Sequence, residues 1–331
     1  MSNVPQRSLP LFLLTIIIIA LALSPACSNE LNYQLSSSDP PSTKLTYHGG
    51  ALLTKQRSIN VFLLWYGAFS PKDRATVNDF FASFDPHQGS SGTRITRQEP
   101  TVSTWWKTIS SYKDKAGNPV PATIKVVKQL DDAAYSLGKN LKRAQIANYI
   151  QSKTTSKALP LDSNGVYFVL TAKDVKVERF CMGSCGFHDS ISVVPGMGRV
   201  VYLHVGDPSM QCPGLCAWPY AVPAYGPPGP PLVAPNGVGA DGMIINIATV
   251  LAGAATNPFK TGYYQGNALA PLEAVTACPG IFGAGAYPGY PGDLKVDKGS
   301  KASYNAFGAS GGKFLLPAIW DPMSSQCKVI A

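Results

Sequence analysis

The chain has 331 residues, of which 45% are hydrophobic and 14% are charged, and its formal net charge is +9. This composition provides enough apolar side chains for a large core and too little charge for a disordered chain. No dense run of Lys and Arg occurs, which argues against a nucleic-acid-binding protein, whereas the positive charge favours loose association with acidic polymers.

The first 27 residues have the layout of a secretory signal peptide. Arg7 precedes the uncharged run Leu11–Leu23, and small residues of a cleavage site follow. The run is shorter than the ~20 residues that span a bilayer, so we expect a cleaved signal and no membrane span. Residues 28–44 are polar and rich in Ser and Pro, and they are predicted to be a flexible lead-in to one domain over residues 45–331.

Apolar strands alternate with amphipathic helices up to residue 171. Continuous runs of strand-forming residues predict strands at Ser58–Trp65, Ala122–Leu130 and Gly165–Thr171. Apolar residues at helical spacing predict helices at Pro71–Phe84, Val102–Tyr112 and Asn140–Ser152, the first with Ser70 as its N-cap. This alternation predicts an α/β fold with a mixed central sheet flanked by helices.

The second half of the domain has a different character. Strands at Ile191–Val194 and Arg199–Val205 are predicted to form a hairpin around a Pro-Gly turn. The Pro/Gly-rich stretch Gly206–Ala240 is longer than most loops without secondary structure, so we expect it to be held by disulfides and to be functional. A buried helix is predicted at Asp241–Thr256 and a final strand near Lys313–Ala318. We therefore expect a single domain with a loop-rich second half.

The cysteines indicate an oxidising compartment. Of the seven cysteines, Cys27 lies beside the cleavage site, and an even number remains. An even number in a secreted chain predicts three disulfides, although two pairs with C-x3-C spacing leave a zinc site as the alternative. We expect two bridges among the first four and one between the last two of Cys181, Cys185, Cys212, Cys216, Cys278 and Cys327.

Several motifs resemble, in sequence and in order, those of the EXORDIUM/phosphate-induced protein family. They include Val61–Gly67 (VFLLWYG), Arg179–His188 (RFCMGSCGFH), Gln211–Pro219 (QCPGLCAWP), Asp241–Pro258 and Gly262–Glu273 (GYYQGNALAPLE). One departure is His204, where members tend to carry Trp. The resemblance implies a secreted, apoplastic plant protein involved in cell expansion and growth regulation and often responsive to brassinosteroid. It does not imply a particular reaction.

One branch of this family resembles metalloproteases in the helix after Asp-Gly-Met, where a His-Glu-Leu-Ala-Glu pattern occurs. There, His and a residue four positions later share one helix face and can bind one metal ion, with Glu as general base. This chain has Thr249, Val250 and Gly253 at the equivalent positions, and none of them suits either role. A degenerate metalloprotease-like architecture stays open, but the residues predict a structural helix and no catalytic residue, cofactor or metal.

The histidines give no clear metal site. His48, His188 and His204 lie in or near the motifs, but their spacing does not favour shared metal binding over separate structural roles. His87, within Asp-Pro-His-Gln-Gly, is predicted to lie in an exposed loop.

Aromatic residues near loops are the stronger signal for a binding surface. Exposed aromatic faces stack on sugar rings, and nearby polar groups fix the orientation of the sugar. The alternative is that tryptophans such as Trp105, Trp106 and Trp218 are core residues. The candidate binding surface comprises His48, Tyr66, His188, Trp218, Tyr263 and Tyr264.

Two functional hypotheses follow from these patterns. The first is a non-catalytic extracellular protein that binds a cell-wall polysaccharide or an extracellular receptor. The second is an extracellular hydrolase that acts on a wall carbohydrate or peptide. Since Thr249 and Val250 stand where a His-Glu pair would be needed, the sequence favours the first hypothesis.

The first testable prediction concerns export. The protein recovered from outside the cell should begin between Cys27 and Asn29, because the small residues before Cys27 form the cleavage site. N-terminal sequencing of the mature protein checks this. Retention of the run Leu11–Leu23 in the mature protein would contradict it.

Overall fold

The computed structural model describes residues 44–85, 98–193, 198–227 and 229–330. The predicted signal peptide, His87 and the predicted Pro-Gly turn of the hairpin lie outside these residues. The helices of the described chain are α1 (Pro71–Ala82), α2 (Val102–Ile109), α3 (Arg143–Thr155), α4 (Pro213–Cys216) and α5 (Val238–Thr256). The strands are β1 (Thr46–Tyr47), β2 (Ser58–Tyr66), β3 (Thr123–Asp132), β4 (Asn140–Leu141), β5 (Val166–Thr171), β6 (Lys176–Val177), β7 (Gly186–Ser192), β8 (Arg199–Gly206), β9 (Tyr263–Tyr264), β10 (Lys295–Val296), β11 (Ser303–Tyr304), β12 (Ala306–Phe307), β13 (Lys313–Phe314), β14 (Ile319–Asp321) and β15 (Gln326–Lys328).

The central sheet has five strands in the order β3–β2–β5–β8–β7. The first four are parallel, and β7 is antiparallel to β8. The apolar runs that predicted β2 and β5 are buried on both faces of the sheet, as expected for central parallel strands. The prediction of an α/β fold with a mixed sheet is therefore confirmed.

Side chains of β2 alternate between two cores because successive residues of a strand point to opposite faces. Val61, Leu63 and Trp65 pack into the larger core with apolar residues of α1, α2 and α5. Phe62 and Leu64 pack into the second core with residues of α3. The sheet is thus covered by helices on both faces, and residues 43–331 form one compact unit.

The helix starts follow local sequence signals. Ser70 accepts a hydrogen bond from the backbone N–H of Asp73 at 3.1 Å, and Pro71 occupies the first helical position of α1, where its missing N–H costs nothing. Thr101 caps α2 in the same way through the N–H of Thr104 at 3.2 Å. The cap predicted at Ser70 therefore marks the start of α1, and Thr101, which was not predicted as a cap, marks the start of α2.

Three predicted boundaries were wrong. The helix predicted at Asn140–Ser152 begins only at Arg143, because Asn140 and Leu141 pair in parallel with Lys176 and Val177 as β4 and β6. The hairpin strand predicted at Ile191–Val194 is β7, which starts five residues earlier, at Gly186. Of the final strand predicted near Lys313–Ala318, only Lys313 and Phe314 form a strand, β13, because its pairing with β12 stops after two residues; β14 begins beyond the predicted range, at Ile319.

Helix α5 is the most deeply buried helix of the described chain. It is long and apolar enough to cross a membrane, but most of it is buried inside the protein, as in the core helix of many soluble proteins. Asp241 in its first turn accepts hydrogen bonds from the backbone N–H and side-chain amide of Asn236 at 2.7 and 2.8 Å. Burial nevertheless raises the pKa of Asp241 to about 7.

Three disulfides hold the loop-rich half together. Cys181 pairs with Cys212 and Cys185 with Cys216, so two parallel bridges join the segment before β7 to α4. The third bridge joins Cys278 to Cys327. This pairing agrees with the predicted one, and it leaves none of these six cysteines to bind zinc.

His204 lies within β8 and is a residue of the core. It is 1% exposed, and its Nε2 is 2.9 Å from the hydroxyl of Thr171 on the neighbouring strand. The rings of Phe180 and Phe187 pack on it at 5.8 and 5.4 Å between centroids. Because burial disfavours the imidazolium, and the charge of Arg143 adds to this, the pKa of His204 is lowered to about 3.

The second testable prediction follows from this depressed pKa. Between pH 6.5 and pH 3 the unfolded chain binds a proton at His204 and the folded chain does not, so stability falls as the pH falls through this window. The loss amounts to at most about 5 kcal/mol. His204→Phe keeps a ring in the core and should remove this part of the acid sensitivity.

Urea unfolding of both proteins at several pH values between 7 and 3 measures the effect. All other titrating groups are the same in the two proteins. The difference between their curves of unfolding free energy against pH therefore gives the contribution of His204. Curves that stay parallel over the whole range would contradict the prediction.

Candidate functional site

The six residues of the predicted binding surface lie in four places. His48, Tyr263 and Tyr264 come together on the short ribbon formed by β1 and β9. The rings of His48 and Tyr264 stack at 3.8 Å, and the Tyr263 hydroxyl donates to the carbonyl of Lys113 at 3.0 Å. Trp218 and His188 border two different cavities.

Tyr66 does not belong to any surface. It is 0% exposed, and its hydroxyl donates to the carbonyl of Gly138 at 2.7 Å and accepts from the N–H of Leu137 at 2.8 Å. The prediction that Tyr66 contributes to a binding surface is therefore corrected. It is the last residue of a strand buried on both faces, so its ring fills the core beside α3.

The largest of the cavities lies where β7, α5 and the loop before Glu273 meet. We call it the His188 cavity, and its volume is about 640 Å³. Thr249 and Val250 of α5 line it, together with His188 and the neighbouring Asp189 of β7. Two of the helix positions equivalent to the metalloprotease pattern, Thr249 and Val250, thus border this cavity, while Val250 is also buried in the larger core, as expected for a structural helix.

A buried hydrogen-bond network forms one wall of the His188 cavity. Nε2 of His188 lies 2.9 Å from both carboxylate oxygens of Glu273. Oε1 of Glu273 also accepts from the side-chain amide of Asn257 at 2.7 Å. Since the side chains of His188 and Glu273 are only 7% and 11% exposed, this pair is held in one geometry by protein groups.

Gly253 makes this network possible. A Cβ atom at this position would lie 2.3 Å from Oε2 of Glu273 and 3.2 Å from Nε2 of His188. The carboxylate therefore occupies the space that any side chain of residue 253 would need. One turn earlier, the hydroxyl of Thr249 donates to the carbonyl of Ile245 at 2.8 Å, so it is engaged by its own helix as predicted.

The other walls of the His188 cavity carry charges. Arg143, Arg179 and Lys260 contribute positive side chains, and Nζ of Lys260 is 3.1 Å from a carboxylate oxygen of Asp189. Within the described ranges, no group of three or more His, Cys, Asp and Glu side chains is placed to share a metal ion. The cavity can therefore offer cationic donors and one His–Glu pair to a ligand.

Two further clefts meet at Trp218, and we call them the Trp218 clefts. Their volumes are about 440 and 560 Å³, and Trp218, Pro223 and Gly289 line both. Tyr290 lines the first and Tyr287 lines the second. The clefts lie between the Pro/Gly-rich stretch Gly206–Ala240 and the loops of residues 279–303.

Aromatic rings are displayed openly at the Trp218 clefts. Tyr225 is 82% exposed and Tyr287 is 64% exposed, which is unusual for side chains of this size. The rings of Tyr287 and Tyr290 lie 5.1 Å apart, and the Tyr290 hydroxyl donates to Asp293 at 2.6 Å. The clefts therefore combine flat apolar faces with a fixed polar group.

Sequence reasoning missed the cationic residues and the network around His188. Arg143 precedes β7 by more than forty residues, and Glu273 is separated from His188 by 85 residues, so no local spacing links them. The one available signal was the position of Glu273 at the end of the Gly262–Glu273 motif. Tyr225, Tyr287 and Tyr290 were noticed only as numerous aromatic residues near loops.

The fold and these cavities define a disulfide-bonded α/β protein with a polar cavity beside its central helix and aromatic clefts in its loop-rich half. The family described as "phosphate-induced protein 1 conserved region" matches residues 45–330. The chain belongs to this family, which includes the EXORDIUM proteins of plants.

Curated relatives cover most of the chain. It is 50% identical to "Protein EXORDIUM-like 2" of Arabidopsis thaliana, with 86% of this chain and 89% of the relative covered. It is 47% identical to "Protein PHOSPHATE-INDUCED 1" of Nicotiana tabacum over 88% of this chain and 90% of the relative. It is also 47% identical to "Protein EXORDIUM" of Arabidopsis thaliana, over 89% of this chain and 92% of the relative. No solved structure matches the chain.

The third testable prediction concerns Gly253. In Gly253→Ala the new methyl group must displace the Glu273 carboxylate and break its contacts with His188 and Asn257. We expect a net destabilisation of about 1–3 kcal/mol, although alanine alone favours a helix by about 1 kcal/mol over glycine. Urea unfolding at neutral pH measures the change.

Two further variants test whether the steric conflict with Glu273 is the cause of the destabilisation. Thr249→Ala lies on the same helix face and removes only a bond to its own helix, so it should change stability by less than about 0.5 kcal/mol. Glu273→Ala removes the group that Gly253→Ala displaces, so the two changes together should cost less than their sum. Strict additivity would show that the close approach at Gly253 is not the cause.

Proposed function

We propose that this protein is secreted into the extracellular space of plant tissue and binds a neutral cell-wall polysaccharide at the Trp218 clefts. Family membership and the plant origin of its relatives support the setting. The three disulfides support an oxidising compartment, since such bridges persist mainly in exported proteins. The growth-regulating role implied by the family resemblance, including its link to brassinosteroid, would follow from this attachment.

The observation that carries the proposal is the exposure of aromatic rings around Trp218. Burying Tyr225 or Tyr287 against a flat apolar partner would remove a large unfavourable contact with water. Pyranose rings present such faces through their C–H groups and surround them with hydroxyls. Asp293 and Ser303, which line the first cleft, can accept or donate hydrogen bonds to those hydroxyls.

The shape of the site favours an extended ligand. Because the two clefts share Trp218, Pro223 and Gly289, a chain that crosses Trp218 can contact both. A single small molecule would fill only one of them. A polymer of linked sugars is therefore the ligand class that uses the whole site.

The alternative function is hydrolysis of a wall carbohydrate or peptide. The observation in its favour is the His188–Glu273 pair beside a cavity, since such pairs serve as general bases in many enzymes. Against it, Glu273 is tied to Asn257 and blocked by the backbone of Gly253, and Thr249 and Val250 supply no proton-transferring group. Binding without turnover is the better supported function.

The fourth testable prediction is binding of a neutral β-linked glucan hexamer by the mature protein, followed by calorimetry. Tyr225→Ala and Tyr287→Ala should each weaken binding by about 2- to 10-fold, because each removes one stacking face. Both side chains are exposed, so folding should be unaffected. Met323→Ala removes an exposed side chain away from the clefts and is the matched control.

Three results would count against the proposal. Binding that is equally strong in all three variants would place the glucan elsewhere. Binding of a proline-rich peptide, but of no glucan, would assign the clefts to protein recognition, because aromatic grooves also accept polyproline helices. Release of shorter sugars during the titration would favour the hydrolase alternative.

A further inference from the structure

Two arginines of the His188 cavity lie close together without an acidic partner. Arg143 opens α3, and Arg179 lies in the loop before β7. Within the described chain, neither guanidinium has a carboxylate within the 4.0 Å of an ion pair. Elsewhere in the described chain, Arg74 pairs with Asp131.

The contacts of Arg143 leave much of its hydrogen-bonding capacity unused. Its Nε and Nη2 atoms lie 3.4 Å from the carbonyl of Glu178 and the hydroxyl of Ser184, which are long distances for hydrogen bonds. The carboxylate of Glu178 accepts from the backbone N–H of Arg143 rather than from its guanidinium. The guanidinium also lies over the ring of Phe187 at 4.2 Å. Stacking on one face leaves the N–H donors at the edge available to a ligand.

The positive charge of Arg143 is destabilised by its surroundings. Burial lowers the pKa of its guanidinium most, the positive charge of Arg179 lowers it further, and the carboxylates of Glu178 and Asp189 offset part of this. The half-buried Arg143 and the exposed Arg179 repel each other, which raises the energy of the free protein. An anion placed between them would remove this cost.

The backbone of the loop that carries Arg179 is fixed in place, so Arg179 stays anchored at the cavity although its side chain is exposed. Arg179 itself has φ of 66°, in the region that non-glycine residues rarely adopt. The disulfides of Cys181 and Cys185 tie the following residues to α4. Phe180, next to Arg179, is buried against His204. A rigid loop that holds a cation next to another cation is a preorganised site for an anion.

We propose that the His188 cavity binds a carboxylate-bearing sugar, a uronic acid residue, whose carboxylate is held by Arg143 and Arg179. The planar guanidinium matches a carboxylate with two parallel hydrogen bonds. Thr249, Thr276 and Asn246 line the same cavity. Their side-chain oxygens can accept hydrogen bonds from the hydroxyls of a sugar ring, whereas the amide nitrogen of Asn246 already donates to the carbonyls of Cys216 and Gly242. The carboxylate of Asp189 is paired with Lys260, and that of Glu273 accepts a hydrogen bond from Asn257 and lies against Nε2 of His188, so both carboxylates already have protein partners.

This inference goes beyond the neutral-glucan binding proposed above, because it assigns a second site with a different ligand class. The His188 cavity and the Trp218 clefts share no lining residue. The proposal of uronic acid binding in the His188 cavity and the proposal of glucan binding at the Trp218 clefts can therefore be tested separately. A protein with both sites could attach to a neutral and an acidic polymer at the same time.

The experiment measures binding of trigalacturonic acid to the mature protein by calorimetry at about 0.15 M ionic strength, where exposed charges are largely screened. Arg143→Gln and Arg179→Gln should each weaken binding by roughly 10- to 100-fold, since each removes charged hydrogen bonds. Arg143→Lys keeps the charge but loses the planar donor pair, so its affinity should lie in between. Arg57→Gln, at an exposed position, makes the same change in net charge and should bind like the wild type.

The methyl ester of the same trisaccharide is the matched probe, because it differs only in the charge of its carboxyl groups. It should bind at least ten times more weakly than the acid. Equal binding of acid and ester would overturn the proposal, and so would an equal loss in Arg57→Gln, which would indicate diffuse attraction to a basic protein. Stronger displacement by inorganic phosphate than by galacturonic acid would also overturn the carboxylate assignment. A circular dichroism spectrum and a urea-unfolding midpoint like those of the wild type show that Arg143→Gln is folded, independently of glucan binding.

Discussion

The burial of α5 between the sheet and the loop-rich half is the constraint on which the other elements depend. Its apolar side chains fill the larger core with those of α1, α2 and β2, and the helix carries no charged residue after Asp241. The same helix presents Thr249 and Val250 to the His188 cavity and the bare backbone of Gly253 to the Glu273 carboxylate. The core therefore sets the position of the cavity wall, and a change in helix packing would reach the His188–Glu273 pair directly.

Both candidate sites are joined through one pair of disulfides. The bridges begin at Cys181 and Cys185, in the loop that positions Arg179, and they end at Cys212 and Cys216, just before Trp218. This arrangement explains how a Pro/Gly-rich stretch with only one short helix can hold defined clefts. Covalent links replace the strand ladders that fix the first half, and they limit the freedom of the unfolded chain as well.

How much could be predicted from sequence depended on the range of the interactions. β2, β5 and α5 were predicted well because each is a single apolar run whose burial decides its structure. The start of α3 was missed because Leu141 pairs with Val177 in a short parallel ladder. Local sequence patterns do not predict this pairing between distant residues. The placement of Tyr66 in the core and the pairing of His188 with Glu273 depend on which strand face meets which loop, and sequence spacing does not contain that information.

The contact at Gly253 also limits how this scaffold can change its chemistry. A glutamate at position 253, as in the His-Glu-Leu-Ala-Glu pattern, would need the volume that the Glu273 carboxylate fills, and the carboxylate is held there by Asn257 and His188. The helix ligand of a metalloprotease and the present His–Glu pair are thus mutually exclusive occupants of one space. A route from one arrangement to the other must replace residues 253 and 273 together, because either single exchange leaves a steric clash or an unfilled void.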